Sequence, residues 1–234
     1  MHADVGAQLE SLSGPHLADA CLALGLPVRT APAGLGPLAP GMACRGPARP
    51  VRHVGSIDVF LEVLQWSRPG EILVIDNAGR TDEACIGDIV LMEAKAAGIA
   101  GFVIWGLHRD SRELREIGLP VFSMGALPTG PQRLNARPPD VFERALVGPH
   151  PITAADIVVA DDNGVIFLAV EHLERIVEAA RSVRDTEARQ LAAMRQGRSF
   201  REQTRFADYV AKKQADPSYG FRAHLKAIAA AGEI

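Results

Sequence analysis

Residues 106–110 read GLHRD and follow the apolar run IAGFVIW (99–105). An imidazole (His108), a permanent cation (Arg109) and a carboxylate (Asp110) stand in a row where a buried-type strand gives way to a helical pattern, SRELREIG. Arg109 offers a planar fork of donors that matches a carboxylate. One aspartate plus waters is the usual protein share of a Mg²⁺ site. The C-terminal end of a parallel strand, opening into a helix, is where α/β proteins take ligands, and helix N-termini favour anions. The same residues have a plainer reading. Asp110 precedes the helix with Glu113 three residues on, the pattern of an N-cap with a capping-box acid. Arg109 is then an ordinary surface residue.

A second candidate is IGDIV (86–90). Gly87 and Asp88 at a helix start expose free backbone N–H groups, through Ile89 and Val90, that can take a carboxylate. The plain alternative is that Asp88 only complements the helix dipole. Paired with Arg109, however, the two elements sit on successive β–α connections and can face one crevice. Asp161 and Asp162 in ADDNG lack calcium-loop spacing, and a hairpin turn explains them. HRD also opens a kinase catalytic loop, but a glycine-rich phosphate loop, a V-A-I-K strand and the downstream Asn are all missing. No G-x-S-x-G, no H-x-x-x-H and no C-x-x-C occurs.

Elements that alternate as α-β-α-β-α-β must position these residues. DVFLEVLQW is helical, EILVID a buried strand, CIGDIVLMEAKAAG a helix, IAGFVIW a strand, SRELREIG a helix and LPVFSMG a strand. Such alternation implies a largely parallel sheet. Earlier, PHLADACLALGLP forms a short helix, and MACRGPARPVRHV reads as strand interrupted at Pro47 and Pro50. After a proline-rich stretch, DIVVADDNGVIFLAV is a hairpin turning at Asn163-Gly164. The tail is helical: EHLERIVEAARSVRDTEARQLAAM, then SFREQTRFADYVAKKQA with Ser199 and Glu202 as a capping box, then DPSYGFRAHLKAIAAAG. These helices carry few apolar residues for their length. They are expected to pack on a neighbouring surface rather than form a core of their own, which implies an oligomer.

Composition excludes several classes. With 25 Lys+Arg against 28 Asp+Glu the net charge is −3, so nothing in the bulk electrostatics calls for nucleic acid or an acidic membrane. No run approaches the ~18 apolar residues of a bilayer span. Cys21, Cys44 and Cys85 are too few and too scattered for a disulfide framework or a zinc site, and reduced, packed thiols fit a cytoplasmic protein. MHADVGAQLESLSG shows no secretory signal.

The stretch GDIVLMEAKAAGIAGFVIWGLHRDSRELREIGLPVFSMGALPTGP (87–131) resembles the RraA-like family, which includes class II 4-hydroxy-4-methyl-2-oxoglutarate aldolases and the regulator of ribonuclease E activity A. Gly87-Asp88 precedes Arg109-Asp110 at that family's spacing, and LADAC, GMACRGPARPV and DIVVADDNGVIFL fit as well. The likeness spans about residues 15–175. It implies a swivelling β/β/α sandwich for a core domain at 1–175, with 176–234 as a C-terminal helical extension that packs the oligomer, a trimer or hexamer. It further implies a divalent-metal lyase that releases pyruvate from a 4-hydroxy-2-oxo acid or from oxaloacetate. Carried over by motif, Asp110 holds Mg²⁺ or Mn²⁺ and Arg109 binds the substrate. The backbone N–H groups of Gly87, Asp88, Ile89 and Val90 take a carboxylate, and Asp88 orders water on the metal. Trp105-Gly106 stands where the family commonly has Asp-Gly, and His108 replaces a small apolar residue. Two alternatives stay open. One is a non-enzymatic regulator that binds a ribonuclease or another partner, and the other is tautomerisation or hydration of a different 2-oxo acid.

Overall fold

The computed structural model describes residues 5–228. Two short helices, α1 (Val5–Leu9) and α2 (Gly14–Ala23), lead into two-residue strands β1 (Arg29–Thr30) and β2 (Gly36–Pro37) and the long strand β3 (Cys44–Arg52). The alternating region follows as α3 (Asp58–Trp66), β4 (Ile72–Asp76), β5 (Ala84–Ile86), α4 (Asp88–Ala96), β6 (Gly101–Trp105), β7 (Leu107–His108), α5 (Ser111–Ile117) and β8 (Val121–Ser123). Two hairpins complete the core: β9 (Arg144–Val147) with β10 (His150–Thr153), and β11 (Asp156–Asp161) with β12 (Gly164–Ala169). The tail comprises α6 (Leu173–Arg195), α7 (Phe200–Gln203), α8 (Phe206–Ala215) and α9 (Phe221–Ala227).

One eight-stranded sheet runs in the order β1-β12-β11-β3-β4-β6-β8-β2. Its middle, β3-β4-β6-β8, is parallel, with Ile75 opposite Val51 and Ile104. The flanks are antiparallel. Strand β3 is continuous through both prolines. Strand β11 pairs Cys44–Pro47 and β4 pairs Ala48–Arg52, so each proline has a flank without a ladder partner where its missing N–H costs nothing.

Side-chain alternation sorts the core into layers. Leu73, Ile75, Phe102 and Ile104 pack against Phe60 and Val63 of α3, Leu91 of α4 and Leu114 of α5. Ile157, Val159, Ile166 and Leu168 pack against α1, α2 and the first turns of α6. On the opposite face, Val74, Val103, Val158 and Phe167 meet Ala145, Val147 and Ile152 of the β9–β10 hairpin. This is the swivelling β/β/α arrangement, with a helical extension. Each fully buried Phe or Ile contributes roughly 1.5–3 kcal/mol.

Three local expectations change. The helix expected from Cys85 starts at Asp88, because Ala84–Ile86 is drawn into a small parallel ladder with Leu107 and His108. The second tail helix breaks at Arg205, which takes a left-handed backbone (φ 47°) between α7 and α8. The Ser199–Glu202 capping box that starts α7 is present. The tail also gathers apolar residues of its own: Tyr209, Tyr219 and Phe221 pack around the buried His224, whose Nε2 lies 2.9 Å from the Thr204 carbonyl, and Phe206 packs on Tyr209 and Phe221. Among the described residues no helix is long and apolar enough to cross a membrane.

Candidate active site

Three connections leave the C-terminal edges of the strands and converge. The first runs from β5 into α4 through Gly87. The second is the β7–α5 turn, carrying Arg109 and Asp110. The third is the loop 125–135, tied to the turn by His108 N–H to the Gly125 carbonyl (3.0 Å) and Leu127 N–H to the His108 carbonyl (2.9 Å). Arg109 N–H donates to the Ile86 carbonyl (2.8 Å), so the cation's backbone is fixed to the strand that feeds α4.

Asp110 does not cap α5. It holds a left-handed backbone (φ 58°, ψ 40°), and its side chain makes no cap hydrogen bond. Aspartate tolerates this region better than most residues, yet such a conformation costs on the order of 1–3 kcal/mol and persists where the surroundings enforce it. The twist swings the carboxylate away from α5 toward α4. There Oδ2 accepts from the Asp88 N–H (3.3 Å) and lies 3.4 Å from Arg109 Nε. Oδ1 is left without a protein partner among the described residues. The capping reading of GLHRD is therefore overturned: the acid faces the neighbouring helix's N-terminus, where the dipole favours a negative charge.

Gly87 makes this possible. Its backbone is extended (φ −135°), so any residue fits by conformation, but an added Cβ would lie 2.3 Å from Asp110 Oδ2 and 3.1 Å from Arg109 Nε. Farther along the same side chain, a Cβ on Gly130 would lie 2.9 Å from Arg109 Nη1. Arg109 thus occupies a slot lined by two glycines, with nearly half its side chain still exposed. The α4 N-terminus is partly engaged. Asp88 folds back so that its Oδ1 accepts from the Ile89 N–H (2.7 Å), and the Leu91 N–H already bonds the Gly87 carbonyl.

His108 is buried, and its ring is engaged by serines rather than by Arg109 or Asp110. Its Nδ1 is 2.7 Å from Ser123 Oγ and its Nε2 is 2.9 Å from Ser111 Oγ. Burial pushes its imidazole below the usual range, and Arg115 adds in the same direction. Trp105 packs its ring against Gly79, where an added Cβ would meet it at 2.8 Å. Asp161 and Asp162 serve the hairpin as expected: Asp161 accepts from the Asn163 and Gly14 N–H groups and Asp162 from that of Gly41.

Sequence reasoning missed a buried polar cluster beside the slot. Arg133 donates through Nε and Nη2 to Glu83 Oε1 (3.1 and 2.8 Å), and Nη2 also reaches Asn77 Oδ1 (2.9 Å). His53 Nδ1 shares that same amide oxygen at 2.9 Å. DNAGRTDE and PTGPQR read only as polar loops, and nothing in their composition says that they meet.

The fold defines an α/β protein in which an Arg-Asp turn meets a helix N-terminus at the strand ends. The RraA-like family model, described as Aldolase/RraA, matches residues 15–167, and the chain belongs to that family. A protein of Halalkalibacterium halodurans named "Putative 4-hydroxy-4-methyl-2-oxoglutarate aldolase" is 34% identical over 149 residues, covering 63% of this chain and 70% of its own. The crystal structure of an uncharacterized protein from Pseudomonas syringae pv. tomato superposes with a TM-score of 0.70 at 29% identity, covering 82% of this chain and 92% of that one. Streptomyces coelicolor RraAS2, described as an unusual member of the RNase ES inhibitor RraA protein family, gives 0.69 at 26% identity, covering 82% and 98%.

Proposed function

We propose that the chain is a divalent-metal-dependent lyase that releases pyruvate from a 4-hydroxy-2-oxo acid or from oxaloacetate. The observation that carries the reading is the left-handed Asp110, whose carboxylate abandons its own helix to stand beside Arg109 at the N-terminus of α4. The family's inclusion of aldolases supports the same class of chemistry.

The donor set suits Mg²⁺ or Mn²⁺. Among the described residues no group of three His, Cys, Asp or Glu side chains is placed to cage a metal. A single carboxylate with an unpartnered oxygen fits an ion that keeps waters and takes its other oxygens from the substrate. Asp110 would hold it. The metal, when bound, supplies Lewis-acid stabilisation of negative charge on the substrate's 2-oxo oxygen. Arg109 adds a fixed cation where that charge develops as the C–C bond breaks. The substrate carboxylate binds at the first turn of α4, in place of the carboxylate contacts that Asp110 and Asp88 make with the Asp88 and Ile89 N–H groups. Asp88, freed from Ile89, accepts through a water the proton that the C4 hydroxyl gives up. Oxaloacetate loses CO₂ through the same charge distribution, so one site serves both reactions. In this reading residues 1–175 carry the chemistry in the cytoplasm, and 176–234 pack a homotrimer or hexamer.

The test is pyruvate release from oxaloacetate and from 4-hydroxy-4-methyl-2-oxoglutarate with Mg²⁺ or Mn²⁺. Activity should vanish in EDTA, and Asp110→Ala should lose at least about 10²-fold. Turnover that survives either treatment refutes the reading. Co-purification with a ribonuclease, without metal-dependent turnover, would favour the regulator instead.

A further inference from the structure

We infer that the buried Glu83–Arg133 pair is a clasp that sets the width of the slot holding Arg109, so that both are positioning residues for the site. The inference rests on the lyase reading for its catalytic consequence but not for its structural one.

The two walls of the slot come from different parts of the chain. One wall is Gly87, at the end of β5. The other is Gly130, in the loop 125–135. A Cβ on either glycine would press on the Arg109 side chain, at 3.1 Å from Nε for Gly87 and 2.9 Å from Nη1 for Gly130, so the placement of the two segments bears on where the guanidinium sits. Two links tie the walls together. The Ala84 N–H donates to the Thr129 carbonyl (2.8 Å). Arg133, four residues after Thr129, grips Glu83, one residue before Ala84, through two of its nitrogens. Glu83 lies four residues before Gly87, and Arg133 three residues after Gly130.

The clasp is built, not incidental. Glu83 is 3% exposed and Arg133 is largely covered. Asn77, itself buried, accepts a second bond from Nη2 of Arg133 through Oδ1, and His53 shares that oxygen. The backbone around Arg133 is equally constrained. Its carbonyl lies 2.0 Å from where a Cβ on Gly55 would stand, and the Asn135 N–H donates to the Val54 carbonyl (2.8 Å). An ion pair taken this far out of water gains little stability over apolar residues of the same volume, because desolvation offsets the Coulomb attraction. Its distinct contribution is direction. Two guanidinium nitrogens converging on one carboxylate oxygen, with the shared Nη2 also held by Asn77, restrain the direction as well as the distance between two segments, which a greasy contact does not. At this junction that geometry is passed to the cation that binds the substrate.

The experiment combines a double-mutant cycle with a direct view of Arg109. In the wild-type background, Arg133→Gln and Glu83→Gln should each lower kcat/KM for oxaloacetate by about tenfold or more, while Arg133→Lys, which keeps the charge but not the fork, should fall between. In an Arg109→Lys background the same changes should cost less than about twofold, because the residue they position is gone. In ¹⁵N NMR spectra, the Arg109 Nε–H resonance, assigned by its disappearance in Arg109→Lys, should shift and broaden in both Gln variants. Gly130→Ala, which presses on Nη1 without touching the clasp, should move it too. Equal losses in both backgrounds, or an Arg109 resonance unmoved by Arg133→Gln and Glu83→Gln, overturn the inference. A wild-type protein that releases no pyruvate sinks the lyase reading, and the resonance then decides the clasp alone.

Discussion

Replacing Gly87 by alanine isolates the geometry of the site from everything else. The residue's extended backbone accepts alanine without strain, so the substitution acts only through the methyl group. That methyl would stand 2.3 Å from Asp110 Oδ2, where ordinary contact begins near 3.4 Å. The carboxylate must therefore retreat by about 1 Å. Arg109 Nε at 3.1 Å and Cγ at 3.3 Å must give by a few tenths of an ångström. A displacement of about 1 Å in a positioned catalytic group costs on the order of 10²-fold in rate, or about 2.7 kcal/mol. The same shift lengthens the bond from the Asp88 N–H, already 3.3 Å, beyond use. The assay is pyruvate formation from oxaloacetate under Mg²⁺, coupled to NADH oxidation by lactate dehydrogenase. Gly36→Ala is the matched control, since a Cβ there meets nothing within 4 Å. The expected result is a loss of about 10²-fold in kcat/KM for Gly87→Ala, with a melting temperature close to that of the control. Activity within twofold of wild type would show that the Asp110 carboxylate and the α4 N-terminus do not work as a unit.

Two further outcomes follow from buried titratable groups. Burial lowers the His53 pKa, with Arg133 adding to the effect, and burial lowers that of His108 too. As pH falls through the unfolded value near 6.5, the unfolded chain binds protons that the folded chain refuses, so stability is full above that value and declines below it. The melting temperature should drop on acidification from about pH 7.5 to about pH 5.5, less steeply in His53→Gln, and a flat profile would contradict the burial. All three thiols are buried, and desolvation raises each pKa, that of Cys44 to about 12. Native protein at about pH 8 should react negligibly with a disulfide reagent, and all three should react after denaturation; one fast-labelling thiol in the native state would be a counterexample.

What the sequence determined by itself were the features written in local pattern. The alternation from Asp58 to Ser123 dictates a parallel sheet, because buried strands separated by amphipathic helices have few other ways to pack. The Asn163-Gly164 hairpin and the Ser199–Glu202 box are likewise local, and both are present. The GD and RD dipeptides marked two loops that do meet. The structure alone decided their chemistry. Asp110 has every local mark of an N-cap, yet in the folded chain its carboxylate stands beside the next helix, in the space that Gly87 leaves by lacking a Cβ. His108, two residues earlier, faces two serines instead. Glu83 and Arg133 lie fifty residues apart in polar loops that look like solvent-exposed connections, and their ion pair is buried. Short-range preferences act within a few residues, whereas the direction of a side chain at a strand end depends on which distant segment the folded sheet places beside it.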